Sequence, residues 1–141
     1  MLNEIIKILS LVTNRNIYVK ESRLCLLNIQ YEKNVIIDDC CYDMYSLTIK
    51  NTGNYDIENI KFNRFECNKT IQPFFINAGE TYFLKILFPK GWIAYHFSVY
   101  ERITYYVAMS CRKRKYFAQD LCISCGVNKE LVTAYFTKRS C

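Results

Sequence analysis

Apolar residues recur at two different spacings along this chain. Five of them near the N-terminus share one face of a helix with 3.6 residues per turn: Leu2, Ile5, Ile6, Leu9 and Val12. Residues 1–14 are therefore predicted to form a short amphipathic helix. Beyond this segment the pattern changes to an alternation of apolar and polar residues, which is typical of strands that bury one face.

The clearest alternation lies between residues 44 and 111. Tyr45, Leu47 and Ile49 alternate with polar residues and lead into the turn cluster Asn51-Thr52-Gly53-Asn54. At least six strands are predicted in this range, at intervals of about 8 to 14 residues, with no helical pattern between them. This spacing favours a mostly β fold, a single antiparallel β-sandwich of immunoglobulin-like or jelly-roll type.

We predict one domain with three parts. The N-terminal helix covers residues 1–14, the sandwich core covers 44–111, and a basic, cysteine-containing C-terminal segment covers 112–141. Within the last segment, residues 130–137 are predicted to form a strand.

The predicted turns contain the residues that turns favour. Glu32-Lys33-Asn34 is predicted to be a turn, and residues 38–43 a polar loop. Gly53 and Gly79 are predicted to supply the positive φ of tight turns, while the side chain of Asn51 bonds the local backbone.

Composition narrows the class of protein. Only 2 Pro and 4 Gly among 141 residues, with 51% apolar residues, exclude a disordered chain. No apolar run approaches the ~20 residues that span a bilayer. Glu4 and Lys7 interrupt the N-terminal apolar segment, so it does not resemble a signal peptide. We expect an intracellular, cytoplasmic protein, with entry into a nucleus left open.

Eight cysteines allow two interpretations. In a secreted protein of this size they would form a disulfide framework, whereas in a reducing compartment, which we favour, they are buried apolar residues or metal ligands. Cys122-Ile-Ser-Cys125 is a CxxC pair, and with Cys111 and Cys141 it could complete a four-thiolate zinc site. The adjacent pair Cys40 and Cys41 cannot easily bridge each other, because neighbouring residues of an extended chain face opposite sides. They are candidates for disulfides to other subunits in an assembly.

Charge and aromatic content point to a binding surface. The formal net charge is +6, and Arg112, Lys113, Arg114 and Lys115 form a basic run. The chain has 12 Tyr and 9 Phe, more than one small core requires. Tyr95, Tyr100, Tyr105 and Tyr106 fall on two successive predicted strands. Together with the basic run they are predicted to form an interaction surface, either for a protein or for stacked bases.

No pattern indicates catalysis. The chain has one histidine, His96, and no phosphate-binding loop, nucleophile elbow or zinc-protease motif. We therefore expect a protein that is not an enzyme, without catalytic residues or cofactor.

Part of the predicted core resembles known domains. Ser46–Asn54, Ile57–Ile60 and Ile76–Glu80 resemble bacterial immunoglobulin-like surface domains of the cell-adhesion-related and conserved-repeat families, over residues 46–88. The pair Cys40-Cys41 ahead of a β-rich domain also resembles the jelly-roll subunits of bacterial spore appendages. Both resemblances imply a sandwich with an adhesive or assembling role.

These observations lead to two functional hypotheses. The first is a non-catalytic module for protein–protein interaction or self-assembly, a homo-oligomer or a binder of another protein. Abundant Ile, Asn, Lys and Tyr, which have AT-rich codons, fit a viral accessory or structural protein. The alternative is a small zinc-stabilised nucleic-acid-binding protein that uses the four-cysteine cluster and the basic run.

Overall fold

The computed structural model describes residues 21–93, 98–109, 113–125 and 132–139. Several predictions lie outside these ranges: the N-terminal helix 1–14, Tyr95, His96, Cys111, Arg112 and Cys141.

The described chain is mostly β, as the alternation predicts. Its elements include the short helix α1 (Glu66–Lys69) and eight strands. The strands are β1 (Leu24–Ile37), β2 (Cys40–Asn51), β3 (Asp56–Phe62), β4 (Phe74–Ile76), β5 (Thr81–Pro89), β6 (Ser98–Ala108), β7 (Arg114–Cys125) and β8 (Val132–Phe136).

The strands form two antiparallel sheets. One has the order β1-β2-β5, and the other has the order β4-β3-β6-β7-β8. Every pairing between these strands is antiparallel, as predicted.

The two sheets bury their inner faces in one hydrophobic cluster. Tyr45 and Ile49 of β2 belong to it, as do Ile103 of β6 and Leu121 of β7. Alternating burial along each strand produces this arrangement, because successive side chains point to opposite faces. The core extends beyond the predicted range 44–111: it includes Leu24 on β1 and three residues of β7, which lies in the predicted C-terminal segment.

The first hairpin differs from its prediction. β1 continues through the predicted turn at Glu32-Lys33-Asn34, where the pairing with β2 shifts register. The chain reverses at Asp38 and Asp39, whose φ angles are 50° and 63°. Positive φ at both central residues is the geometry of a type I′ turn, whose twist matches that of the strands. The predicted loop at 38–43 was therefore wrong from Cys40 onward, where β2 begins.

Buried polar side chains connect the two sheets. Glu101 of β6 accepts hydrogen bonds from the backbone N–H of Arg64 (2.8 Å) and from Asn68 Nδ2 (3.1 Å). Asn68 of α1 in turn bonds both backbone groups of Leu87 on β5, at 2.9 and 2.8 Å. The helix α1 is thus a polar bridge between β6 of one sheet and β5 of the other.

Candidate functional site

The outer face of the five-stranded sheet carries tyrosines in place of the usual small polar residues. Along β6, burial alternates so that Glu101, Ile103 and Tyr105 face the core. Tyr100 and Tyr106 occupy the opposite phase of the alternation and face outward. The face on which each tyrosine lies follows from the period of two in an extended strand.

Strand pairing places four tyrosines on this outer face in two groups, six residues or about 20 Å apart along β6 and β7. Tyr106 lies opposite Tyr116 of β7, with ring centroids 5.1 Å apart. Tyr100 lies opposite Cys122, which in turn lies opposite Tyr135 of β8. We call Tyr100, Tyr106, Tyr116 and Tyr135 the tyrosine face. Three of these side chains are clearly exposed: Tyr100 at 42%, Tyr116 at 49% and Tyr135 at 62%.

Arginines on this face are held by carboxylates or by a ring. Arg102 binds Asp120 through two hydrogen bonds, and Arg114 Nε lies 2.8 Å from Glu58 Oε2. Both contacts raise the pKa of the guanidinium, because the carboxylate favours its charged form. The Arg64 guanidinium lies 4.0 Å from the centroid of the Tyr100 ring and donates to the Tyr100 carbonyl at 2.7 Å.

A groove adjoins the tyrosine face at its β3 side. It encloses about 520 Å³ and is lined by Asp56, Glu58, Asn59, Pro73, Phe74, Phe75 and Asn77. Glu58 pairs with Tyr106 across β3 and β6, so the groove and the tyrosines are contiguous. Phe75 is 62% exposed at its rim. The groove combines aromatic walls with two carboxylates, a lining that suits an inserted side chain with an apolar stem and a polar or basic end.

One predicted interaction residue belongs to the core instead. Tyr105 is fully buried, and its hydroxyl donates to Gln119 Oε1 at 2.6 Å. Burial also raises the pKa of Tyr105, since the phenolate is not stabilised inside the protein. Tyr105 follows the inward phase of β6, so its predicted place on the interaction surface was wrong.

Sequence reasoning missed two members of the tyrosine face, Tyr116 and Tyr135. Alternation in 114–125 places Phe117, Gln119, Leu121 and Ile123 on one face and Tyr116 on the other. The alternation is present in the sequence, but it is hard to recognise because Gln119 is a polar residue at one of the inward positions.

The predicted basic run does not form one patch. Arg112 lies outside the described residues, and Lys113 precedes β7. Arg114 faces the tyrosine face and pairs with Glu58, whereas Lys115 Nζ lies 5.5 Å from the centroid of Phe117. Because β7 begins within the run, its consecutive residues point to opposite sides of the sheet.

The predicted zinc site lacks a tight turn between Cys122 and Cys125, the zinc-knuckle geometry that its CxxC pair requires. Cys122 and Cys125 both lie in β7, and three residues of extended strand separate them by about 10 Å along the backbone. A zinc knuckle needs a tight turn between its two thiolates. Cys122 instead hydrogen-bonds Tyr135, which raises the pKa of that tyrosine. Among the described residues, no group of three His, Cys, Asp or Glu could hold a metal ion.

Cys40 and Cys41 begin β2 directly after the Asp38-Asp39 turn. Cys40 is exposed and Cys41 is half-buried, as expected for neighbours in a strand. Their role in an assembly stays a prediction.

Comparison with known proteins adds no family. No family model, curated protein or solved structure matches the chain. Within the described ranges, no helix is long and apolar enough to cross a membrane.

Proposed function

We propose that this protein is a non-catalytic β-sandwich module that binds another protein through the tyrosine face. The sandwich is inferred from two antiparallel sheets whose inner faces share one hydrophobic cluster. The partner is either a different protein or a further copy of this chain.

The observation that supports this function is the grouping of four outward tyrosines on three adjacent strands. Tyrosine offers a large, rigid apolar ring with a polar end, and it is enriched at the energetic centres of protein interfaces. An isolated exposed ring needs no explanation, whereas two groups of outward rings on one sheet face, about 20 Å apart, fit within the span of one protein interface.

A protein partner fits the charges better than a nucleic acid does. Phosphate binding needs lysines and arginines that are free to replace counterions. Arg102 and Arg114 already bind Asp120 and Glu58, and the adjoining groove carries the carboxylates of Asp56 and Glu58. The zinc-dependent alternative also lacks support from the extended backbone at Cys122 and Cys125.

We place this activity in the cytoplasm as part of the proposal. Cys40 is an exposed free thiol, and such a thiol persists most readily in a reducing compartment.

The test compares Tyr116→Ala/Tyr135→Ala with the unmodified protein as immobilised bait. Partners captured from cell lysate are identified by mass spectrometry, and the leading one is purified for calorimetry. Each tyrosine at an interface centre contributes about 2 kcal/mol or more, so the double variant should raise the Kd by ~1,000-fold. Phe83→Ala is the matched control, because Phe83 is 75% exposed on the other sheet.

Two results would contradict the proposal. One is a purified partner that binds the double variant and the unmodified protein with equal affinity. The other is tight binding of a mixed-sequence single-stranded oligonucleotide, measured by fluorescence anisotropy, that weakens steeply with salt. That second result would restore the nucleic-acid hypothesis.

A further inference from the structure

The outer half of β1 is an open strand edge of the three-stranded sheet, whereas the tyrosine face lies on the five-stranded sheet. β1 pairs with β2 on one side only and ends the three-stranded sheet. In a hairpin closed by a two-residue I′ turn, the two residues that flank the turn exchange both backbone hydrogen bonds. Here these residues are Ile37 and Cys40. Alternation then directs the backbone N–H and C=O of Asn34 and Ile36 away from β2.

Contacts elsewhere confirm this orientation of the backbone. Leu24 occupies the same phase of β1, and the Gln119 side chain bonds both of its backbone groups, at 2.9 and 3.2 Å. On β5, the other edge of this sheet, Leu87 is bonded in the same way by Asn68. The backbone groups of Asn34 and Ile36 bond no residue in the described part of the chain.

Both edges of the five-stranded sheet are short, and short edge strands are one way in which proteins avoid unwanted strand pairing. The five-stranded sheet ends in β4, with three residues, and β8, with five. The stretch of β1 from residue 33 to 37 differs from these edges, because its register is regular and it ends in three apolar residues, Val35, Ile36 and Ile37. Its Ile36 side chain is 74% exposed and its Ile37 side chain 47% exposed.

We infer that two copies of this chain pair their β1 strands antiparallel about a two-fold axis at Val35. In this register Asn34 lies opposite Ile36 of the second copy, and Val35 lies opposite itself. The two symmetric Asn34–Ile36 pairs then exchange four backbone hydrogen bonds, and the sheets join into one of six strands. A two-fold interface requires such self-complementarity.

Charge supports a second copy as the occupant of this edge. The register places Lys33 opposite Ile37 of the second copy, beside the acidic turn formed by Asp38 and Asp39 of that copy. Among the described residues, none of these three charged side chains forms an ion pair. The same register places Glu32 opposite Asp38 of the second copy, but the Glu32 carboxylate is held on its own sheet by Gln30 and Ser46, at 2.9 and 2.7 Å. The dimer thus gains two symmetric pairings of a lysine with an acidic turn.

The first test is sedimentation equilibrium of the full chain with reductant present. We expect a dimer that Ile36→Pro weakens at least tenfold, because proline removes an N–H that faces the second copy and leaves the bonds to β2 intact. Lys33→Glu should also weaken it at least tenfold by placing like charges together. Lys85→Glu is the control, since it makes the same charge change on β5, two strands away.

The second test looks for a new covalent cross-link between the two copies, so it does not depend on a variant that weakens the dimer. Residues directly opposite in a non-hydrogen-bonded pair have Cβ atoms about 4.5–5.5 Å apart, close enough for a disulfide with little adjustment. Val35→Cys, made with Cys40→Ser to remove the exposed native thiol, should form a covalent dimer under mild oxidation. Leu27→Cys in the same background should not, because Leu27 is exposed on β1 but far from the axis.

A wild-type protein that stays monomeric at several hundred micromolar would overturn the inference. So would a dimer that keeps its affinity in Lys33→Glu and fails to cross-link at Val35→Cys, even if Ile36→Pro does not fold. If the dimer is instead lost in Tyr116→Ala/Tyr135→Ala, self-association belongs to the tyrosine face. The inference does not rest on the proposed function, because the two surfaces lie on different sheets.

Discussion

Gly53 shows how a residue type can be required for a reason other than the expected one. The turn pattern predicts positive φ at both Gly53 and Gly79, and Gly79 has it, with φ of 77°. Gly53 has no positive φ; a Cβ there would lie 2.2 Å from Ser22 Cα. Ser22 is buried, and its Oγ donates to the Tyr55 carbonyl at 2.6 Å. Close approach of two backbone segments therefore excludes a side chain at Gly53.

We expect Gly53→Ala to destabilise the protein by about 3 kcal/mol, because the atom it meets belongs to backbone that cannot easily move. Gly79→Ala should cost about 1 kcal/mol, since its only penalty is the left-handed conformation. Urea unfolding monitored by circular dichroism measures both. Equal losses, or a larger loss at Gly79, would show that the packing of Ser22 on Gly53 is not the constraint.

At the scale of elements, a buried side chain of the five-stranded sheet hydrogen-bonds the backbone of β1. Gln119 of β7 bonds the N–H and C=O of Leu24 and donates to the Thr137 carbonyl at 2.8 Å. It also accepts the Tyr105 hydroxyl. The amide thus replaces a neighbouring strand at this point of the β1 edge, and it explains a polar residue in an otherwise apolar row of β7.

Gln119→Leu should destabilise the protein by about 3 kcal/mol or more, since it leaves several buried polar groups without a partner. Tyr105→Phe removes only one hydrogen bond and should cost about 1 kcal/mol. Hydrogen exchange gives a second readout: the Leu24 amide should exchange much faster in Gln119→Leu and remain protected in Tyr105→Phe. A Leu24 amide that exchanges at the same rate in both variants would contradict this role of Gln119.

The hairpin of β1 and β2 also shows where local pattern misleads. Glu32-Lys33-Asn34 has the composition of a turn, yet β1 absorbs these residues with a register shift. Asp38 and Asp39 make the turn because aspartate tolerates positive φ. Both sites are polar and short, so composition alone does not distinguish a bulge in a strand from its end.

At the scale of the whole molecule, Glu101 and Asn68 hold the two sheets together through α1. Glu101 is completely buried, and its carboxylate accepts hydrogen bonds from two backbone N–H groups and the Asn68 amide. In the described part of the chain it forms no ion pair. Burial raises the pKa of Glu101, and the hydrogen bonds from Arg64, Asn68 and Phe65 offset this only in part.

This raised pKa predicts a pH dependence of stability. A carboxyl group whose pKa is higher in the folded protein than in the unfolded chain stabilises the folded state while it is protonated. Its contribution is therefore complete at a pH below its pKa in the unfolded chain, which is about 4.3. That contribution is lost as the pH rises through the folded value. Glutamine at position 101 cannot ionise. We therefore expect the unfolding free energy of Glu101→Gln to fall below that of the unmodified protein by a larger amount at low pH than at neutral pH.

Urea unfolding between about pH 4 and pH 8 checks this expectation. Glu66→Gln is the matched control, because Glu66 lies in the same helix with a side chain that is 87% exposed. The gap in unfolding free energy between Glu101→Gln and the unmodified protein should narrow as the pH rises. A difference in unfolding free energy that is constant with pH would mean that Glu101 has the same pKa in the folded protein and in the unfolded chain.

The sequence by itself determined most of the strands, because alternation with a period of two and turn composition are local properties of the chain. It predicted antiparallel pairing, most of the strands of the core, and an outward place for Tyr100 and Tyr106. Only the tertiary structure decided that Tyr105 faces inward, that Tyr135 joins the exposed set, and that the CxxC pair is extended. Alternation defines two faces of a strand, but which face is buried depends on the sheet packed against it, and that contact joins residues far apart in sequence.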